Sequence, residues 1–192
     1  MDDGSGCQLQ LGFDAANSIP RPNLRNASTA VLAGLAPRGT GCQMVTFGLT
    51  NPSQVAMPCN FVVSVHGETL LIPLKMSDLV RPSAISTQDF GANWAKLAAA
   101  SSSVTVNVGS ASVQKFVAAV SQKLHLHHIS TIGLEIIAAG NLSSMTNAQM
   151  LLPILVHSAC TVGAKYQVIV RTPNPAISKL IALELQQLLS SA

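Results

Sequence analysis

The pattern of hydrophobic and polar residues changes abruptly at Arg81-Pro82-Ser83, and this change limits the folds open to the chain. Before it, short β-rich runs are separated by turn residues, which is typical of an all-β sandwich. After it, helical and strand patterns alternate, which is typical of helices packed on one face of a sheet. We therefore predict an α+β protein, with a β-sandwich subdomain over residues 1–82 and a mixed helix-on-sheet platform subdomain over residues 83–192. The boundary is expected between Arg81 and Ser86.

The first part combines strand signals with one long irregular segment. The run Cys7–Phe13 alternates apolar and polar residues, so it predicts a strand with one buried face. Residues 14–38 combine prolines with Asn, Ser and Arg around a small apolar patch, which indicates a loop or mobile linker and leaves open one edge strand inside it. Gln43–Leu49 and Cys59–Leu74 return to β-rich sequence. The second of these predicts a hairpin whose turn lies at His66-Gly67-Glu68.

The second part alternates helices with strands. Its most regular strand is Lys165–Arg171, in which Tyr166 faces one side and Arg171 the other. The last helix begins at Pro175, a residue suited to a first helical turn, and has a broad apolar face. The other predicted elements are a helix whose first turn is capped by Ser86 or Thr87, a strand at Ser103–Val108, a helix capped by Ser112, strands at Ile129–Ala138 and Met150–Val162, and a polar turn at Asn141–Asn147.

The chain is weakly charged for its length. Charged residues make up 10% and hydrophobic residues 48% of the 192 residues, whereas a soluble domain typically has about 25% charged residues. Lightly charged surfaces of this kind favour contact with a partner. The apolar runs fall short of the roughly 20 residues that a membrane-spanning helix needs, and the acidic start MDDGSG lacks the features of a secretion signal. We therefore expect a cytoplasmic protein without a membrane span.

The residue patterns do not indicate a cofactor, a metal site or a catalytic centre. Cys7, Cys42, Cys59 and Cys160 stand far apart without a C-x-x-C pair, so reduced and buried thiols are expected. The histidine-rich run at residues 125–128 has no neighbouring Cys or carboxylate, and an exposed loop accounts for it better than a metal site. There is no G-x-S-x-G turn and no spaced carboxylate pair. We predict that the protein is not an enzyme.

The stretch Thr87–Leu97 is the strongest candidate for a binding surface. It contains the only tryptophan of the chain, Trp94, and the spacing of Phe90, Trp94 and Leu97 places all three on one helical stripe. Such a stripe most often faces a core. If this helix meets the strand end that contains Arg171, the two aromatic rings form an apolar slot with a cation at its rim. A slot of this kind suits a peptide aromatic residue with a nearby carboxylate or carbonyl. In the alternative, Arg171 only exposes a charged group to solvent at the end of the strand and takes no part in binding.

Two motifs in this order connect the chain to a known family. The helix reads Q-D-F-x-x-x-W-x-x-L from Gln88, and the strand reads Y-x-V-x-V-R-T from Tyr166, followed by the apolar helix Ile177–Leu189. From Gln43 to the end, the chain resembles the appendage, or ear, of a large subunit of the heterotetrameric clathrin-adaptor-type coat complexes. Within that family it is most similar to the epsilon chain of adaptor complex four.

The resemblance implies an immunoglobulin-like sandwich followed by a platform that binds short hydrophobic or aromatic motifs in accessory proteins. The peptide-binding residues that it implies are Phe90, Trp94, Arg171, Tyr166 and Gly91. Gly91 stands where the family's alpha chain has a second aromatic residue, so a strict D-P-F/W motif is not implied. The resemblance further implies vesicle transport, contact with other adaptor subunits, no cofactor, and a position on trans-Golgi or endosomal membranes through the coat alone.

Two other functions stay open from the sequence. A sheet backed by helices also occurs in nucleic-acid-binding proteins. The 11 basic residues of this chain are spread without a cluster, however, so no nucleic acid is expected as a partner. A purely structural tail that spaces other subunits is the second alternative.

Overall fold

The computed structural model describes residues 7–13, 30–32, 59–65, 68–107, 112–143, 151–161 and 165–190. These residues form two antiparallel sheets, and the described helices all follow the first sheet, from Met76 onwards. The first sheet has the strand order β2-β1-β3-β4. Its strands are β1 (Cys7–Phe13), β2 (Ala30–Leu32), β3 (Cys59–Val65) and β4 (Glu68–Leu74).

The hairpin predicted around His66-Gly67-Glu68 is confirmed. Strands β3 and β4 pair antiparallel, and Val65 lies opposite Glu68, so two residues connect them. The predicted strand at Cys7–Phe13 is also present and pairs with β3. The described residues of this part form one sheet, whereas a sandwich needs two. Because Gln43–Leu49 lies outside the described residues, the immunoglobulin-like sandwich stays a prediction.

The second part is a mixed platform of helices and an antiparallel sheet, as the α+β prediction stated. Within the described residues its sheet has the order β5-β8-β9-β10-β6, and β7 pairs with β8. Its elements are α1 (Met76–Leu79), β5 (Val80–Pro82), α2 (Thr87–Lys96), β6 (Ser101–Asn107), α3 (Val113–Ala118), β7 (His127–Ile132), β8 (Glu135–Ser143), β9 (Leu151–Thr161), β10 (Lys165–Arg171) and α4 (Pro175–Ser190). A 3-10 turn, Ala98–Ala100, follows α2, and a π-helical turn, Ala119–Lys123, extends α3.

The outer edge of β8 is shared by two strands. Its first half, Glu135–Ala139, pairs with β7, and its next three residues, Gly140 to Leu142, pair with β5. The prediction of one strand at Ile129–Ala138 is therefore wrong. Gly133 has a φ of 61°, which a glycine adopts without strain, and it turns the chain so that β7 and β8 form a hairpin.

Two further elements differ from the sequence prediction for the same reason, namely pairing with β8. Arg81-Pro82-Ser83 was expected to interrupt the strand pattern, but Val80–Pro82 forms the edge strand β5. Asn141 was expected in a turn, but it lies in β8 opposite Arg81. A proline without an N–H group is compatible with an edge strand, and short-range sequence patterns do not reveal which distant strand will pair.

One face of the platform sheet is covered by α1, α3, the π-helical turn and α4. Strand residues of this packed face alternate with those of the other face, as the pleat of a strand requires. The strand and helix residues of this core include Phe116, Leu124, Ile136, Leu142, Ile154, Val156, Tyr166, Val168, Ile177, Ile181 and Leu185. The core also contains Leu74, Met76, Leu79 and Val80, so residues before the predicted boundary pack with the platform.

Local hydrogen bonds fix the ends of the helices. The Ser86 and Ser112 hydroxyls accept hydrogen bonds from the backbone N–H of Asp89 and Lys115, which confirms both predicted caps. At the start of α4, the buried Ser178 hydroxyl accepts from the Thr172 N–H at 3.1 Å and donates to the Ala100 carbonyl at 3.0 Å. This network joins α4, the end of β10 and the turn that follows α2.

Cys160 lies half-buried in β9, opposite Tyr166. The side chains of the other three cysteines are outside the described part of the chain, so the prediction of four reduced thiols stays a prediction. In the part of the chain that the structure describes, no helix has both the length and the apolar character needed to cross a membrane.

Candidate functional site

The second face of the platform sheet is only partly covered, and we call it the open face. Its side chains come from alternate residues of β8, β9 and β10, and strand pairing aligns them in rows across the sheet. Three consecutive rows are Ala139–Leu155–Arg171, Ile137–His157–Ile169 and Glu135–Ala159–Gln167. Helix α2 packs over the first row through Phe90, which is 5% exposed and contacts Ala139 and Leu155.

The helix forms where the sequence predicts it and presents the predicted stripe to the sheet. Phe90 is buried, while Trp94 and Leu97 are half-buried and pack beside it. The rings of Phe90 and Trp94 stack with their centroids 5.4 Å apart and an interplanar angle of 16°. The interpretation that the stripe faces a core is therefore right for Phe90. Trp94 stays partly accessible at the border of the covered row.

Arg171 meets this helix, as the binding-slot hypothesis requires. Its guanidinium carbon lies 4.0 Å from the centroid of the Trp94 ring, which is a cation–π contact. Its Nη1 donates a hydrogen bond to the Trp94 carbonyl at 2.5 Å. Within the described residues the buried Nε of Arg171 has no hydrogen-bond partner. The guanidinium is therefore directed at Trp94, both at its ring and at its backbone.

His157 is a site residue that the sequence analysis missed. It lies in β9 between Ile137 and Ile169, and its ring meets the Trp94 ring edge-on with centroids 5.7 Å apart. Its Nε2 lies 3.5 Å from a carboxylate oxygen of Glu135. The strand alternation already assigns His157 to the face of Leu155, but only the register of β9 places it next to Trp94. We call Phe90, Trp94, His157 and Arg171 the Trp94 cluster.

Two of the predicted site residues lie elsewhere. Tyr166 is 2% exposed on the packed face, with its ring centroid 5.1 Å from that of Phe116. It does not reach the open face because it lies five positions, an odd number, before Arg171 along β10, and side chains alternate between the faces. Burial raises the pKa of the Tyr166 phenol above its ordinary value near 10, and the nearby Cys160 adds to this effect. Gly91 lies in α2, exposed and away from the sheet, with open space where a Cβ would stand.

Residues 82–188 match the family model described as the adaptin AP4 complex epsilon appendage platform. The matched segment contains α2, the Trp94 cluster, the sheet strands from β6 to β10 and most of α4. The chain belongs to this family. The resemblance to the epsilon chain of adaptor complex four is thereby confirmed. No curated protein sequence matches the chain significantly.

Membership fixes the general role of the platform. It is an appendage domain of an adaptor complex that acts in vesicle transport, and appendage domains are protein-interaction modules without catalytic activity. In the described residues, no group of three or more His, Cys, Asp or Glu side chains could hold a metal ion. The described residues of the open face include the indole of Trp94, aliphatic side chains, the imidazole of His157 and the carboxylate of Glu135.

Proposed function

We propose that this appendage platform recruits accessory proteins by binding short apolar or aromatic peptide segments at the Trp94 cluster. The proposal rests on the position of Trp94, which lies between the row of the open face that α2 covers and the row that contains His157. The ring is held by Phe90 and Arg171 on the covered row, it contacts His157 edge-on, and the half-buried Ile137 packs against the same cluster. Anchored aromatic residues beside uncovered apolar side chains are typical of peptide-binding surfaces.

A site of this size supports weak binding by a single peptide. Burying one apolar or aromatic side chain contributes roughly 2 to 3 kcal/mol before ordering costs. A micromolar dissociation constant needs about 8 kcal/mol, so several such contacts are required. Many copies of the platform in one coat would then supply the overall strength through multivalency.

Family membership supports a proposed cellular setting. The platform would act in the cytoplasm, on trans-Golgi or endosomal membranes, as one part of a large adaptor subunit whose remainder contacts the other subunits. Its membrane association would be indirect, through the coat. Neither a cofactor nor a nucleic acid takes part in this function.

The test is a selection of linear peptides from a random phage-displayed library on the intact chain, followed by titration of an enriched synthetic peptide. We expect Trp94→Ala to abolish binding, because the central ring of the cluster is lost. Lys179→Ala is the matched control, since Lys179 is exposed on α4 and distant from the open face in the fold. It should bind as the wild type does, and circular dichroism should show both variants folded.

Amide chemical shifts during the titration locate the site. Movement around Trp94 and Arg171 supports the proposal, whereas movement confined to residues 43–74 places binding on the first part and contradicts it. Retention on heparin or mixed oligonucleotides at low salt that is lost as salt increases would instead indicate a nucleic-acid-binding platform. A chain that enriches no peptide above the Trp94→Ala background would be a structural tail.

A further inference from the structure

The indole of Trp94 contacts three side chains of its cluster and keeps one polar atom accessible. Phe90 stacks on the ring, the guanidinium carbon of Arg171 lies 4.0 Å from the ring centroid, and His157 meets the ring edge-on. In the part of the chain that the structure describes, the buried side-chain N and O atoms without a hydrogen-bond partner are Ser158 Oγ and Arg171 Nε. The indole N–H of Trp94 has no acceptor among these residues either, so it is accessible to solvent.

This N–H group places a requirement on any peptide that covers the ring. The indole nitrogen is a hydrogen-bond donor only, and a peptide that covers it also removes its access to water. A buried donor without a partner costs free energy, so the N–H of a buried tryptophan usually finds an acceptor. A peptide that packs over this part of Trp94 must therefore supply the acceptor itself.

Arg171, the cation of the cluster, is poorly arranged to bind a peptide carboxylate. A two-point contact with a carboxylate uses Nη2 of an arginine together with either Nε or Nη1. The first pair is closed because Nε is buried. The second pair competes with the Trp94 carbonyl, to which Nη1 already donates at 2.5 Å. Arg171 is therefore a positioning residue, which holds Trp94 through its ring and its backbone.

A peptide carboxylate would also meet a like charge beside the cluster. The side chain of Glu135 is 58% exposed on the open face, and its carboxylate lies 3.5 Å from Nε2 of His157, whose ring contacts Trp94. Like charges placed this close to a binding site oppose the wrong ligand. Glu135 thus opposes an acidic residue at this place and leaves a neutral acceptor unaffected.

We propose that the Trp94 cluster recognises a peptide through a neutral carbonyl oxygen, which accepts a hydrogen bond from the indole N–H of Trp94. An apolar side chain of the same peptide packs on the cluster, and Arg171 fixes the ring without pairing with a peptide carboxylate. The carbonyl belongs to the peptide backbone or to an Asn or Gln side chain. This inference rests on the proposed function, because it names the class of peptide that the same site takes.

The first measurement observes the donor itself. Because Trp94 is the only tryptophan, the ¹⁵N-labelled intact chain gives a single indole N–H cross-peak. A synthetic peptide enriched from the random phage-displayed library is titrated into this sample. We expect the cross-peak to shift downfield and its exchange with water to slow severalfold, since the N–H gains an acceptor and loses access to water.

The second measurement removes the N–H group and keeps the ring. Site-specific incorporation of benzothienylalanine in place of Trp94 puts sulfur where the indole has N–H and preserves the size of the bicyclic ring. Calorimetric titration should show about tenfold weaker binding of the same peptide, because its carbonyl loses the donor. Circular dichroism should show this chain folded. Replacing each Asn or Gln of the peptide by Ala then assigns the carbonyl: a further loss assigns it to that side chain, and unchanged affinity assigns it to the backbone.

The third measurement uses salt to separate a neutral contact from an ion pair. The affinity of the wild type should change less than about twofold between about 0.05 and 0.5 M salt, because screening acts on charged pairs. Arg171→Gln should move the indole cross-peak of the free chain and weaken binding, with the same small dependence on salt. Lys179→Gln is the matched control, since it removes an equal charge from an exposed position of α4, and it should change neither property.

Three results would overturn the inference and leave the proposed function intact. One is an Asp or Glu that the enriched peptides require, with an affinity that falls severalfold as salt increases. Another is an indole N–H that exchanges as fast in the complex as in the free chain, although Trp94→Ala abolishes binding. The third is wild-type affinity for the chain with benzothienylalanine. In contrast, equal selections on the wild type and on Trp94→Ala would reject the proposed function itself, so the two failures are distinguishable.

Discussion

The two faces of the platform sheet are built from the same strands but differ in how they are covered. In β8, Ile136 is 1% exposed beneath the helices of the packed face, whereas its neighbour Ile137 is half-buried on the open face. Helix α2 packs on the first row of the open face and, through Trp94, reaches His157 in the second, whereas Glu135 and Gln167 in the third row are exposed. Under the proposed function, the packed face would supply stability and the open face would contact a partner.

The largest expected effect concerns this isoleucine pair. Ile136→Ala should lower the free energy of unfolding by about 3 to 4 kcal/mol, because it removes buried apolar surface and leaves a cavity in the packed core. Ile137→Ala should cost about 1 kcal/mol, since part of that side chain is already solvated. Urea denaturation at equilibrium measures both values. Peptide affinity should fall for Ile137→Ala and stay unchanged for folded Ile136→Ala. Equal losses of stability would show that the open face is as well packed as the other.

Alanine substitutions at two glycines should change the stability of the platform by intermediate amounts and in opposite directions. A Cβ at Gly140, on the packed face, would stand 2.5 Å from Leu126 Cδ2 and 2.9 Å from the Arg81 carbonyl oxygen. Gly140→Ala should therefore destabilise the platform by about 1 to 3 kcal/mol. Gly91→Ala, in the exposed side of α2, should stabilise it by about 0.5 to 1 kcal/mol through helix propensity. Thermal denaturation should move the two midpoints in opposite directions. A gain from Gly140→Ala would contradict the close packing of β5 on β8.

The smallest effect on stability is expected at alkaline pH, where the phenol of Tyr166 on the packed face loses its proton. The pKa of Tyr166 is raised in the folded chain, chiefly by burial, whereas the unfolded chain loses this proton near pH 10. Between the two pKa values the folded state binds more protons, so stability should fall as the pH rises above about 10. Tyr166→Phe should reduce that slope. Because Tyr166 is the only tyrosine, its phenolate absorbance reports the folded pKa directly. A midpoint at or below 10 would contradict the burial of the ring.

Features that depend on nearby residues were predictable from the sequence. The apolar stripe of α4, the caps at Ser86 and Ser112, and the alternation of Lys165–Arg171 all follow from spacing along one element. The resemblance also placed Phe90 and Trp94 on the helix that borders the open face, and Arg171 on the strand beside it.

Features that depend on strand register were not predictable. His157 joins Trp94 only because β9 pairs with β10 in one register, and no pattern within β9 specifies that register. The turn at Gly133 was read as continuous strand, since a single glycine within a β-rich run does not by itself indicate a hairpin. Tyr166 was assigned to the site because it belongs to the strand motif that resembles the family. The alternation of side chains along that strand, however, places Tyr166 and Arg171 on opposite faces.

The shared edge of β8 has a consequence for behaviour at high local concentration. Every residue from Glu135 to Leu142 lies alongside β7 or β5, so this side of the sheet ends in two short strands, of six and three residues, instead of one long strand. Exposed strand edges promote edge-to-edge aggregation. Short edge strands, one of which ends in Pro82, limit such pairing, so copies of the platform crowded on one vesicle should polymerise less readily through this side, even though the exposed Ile132 and Leu134 lie close to it. A domain protected in this way can keep an apolar surface exposed for its partners and still remain dispersed.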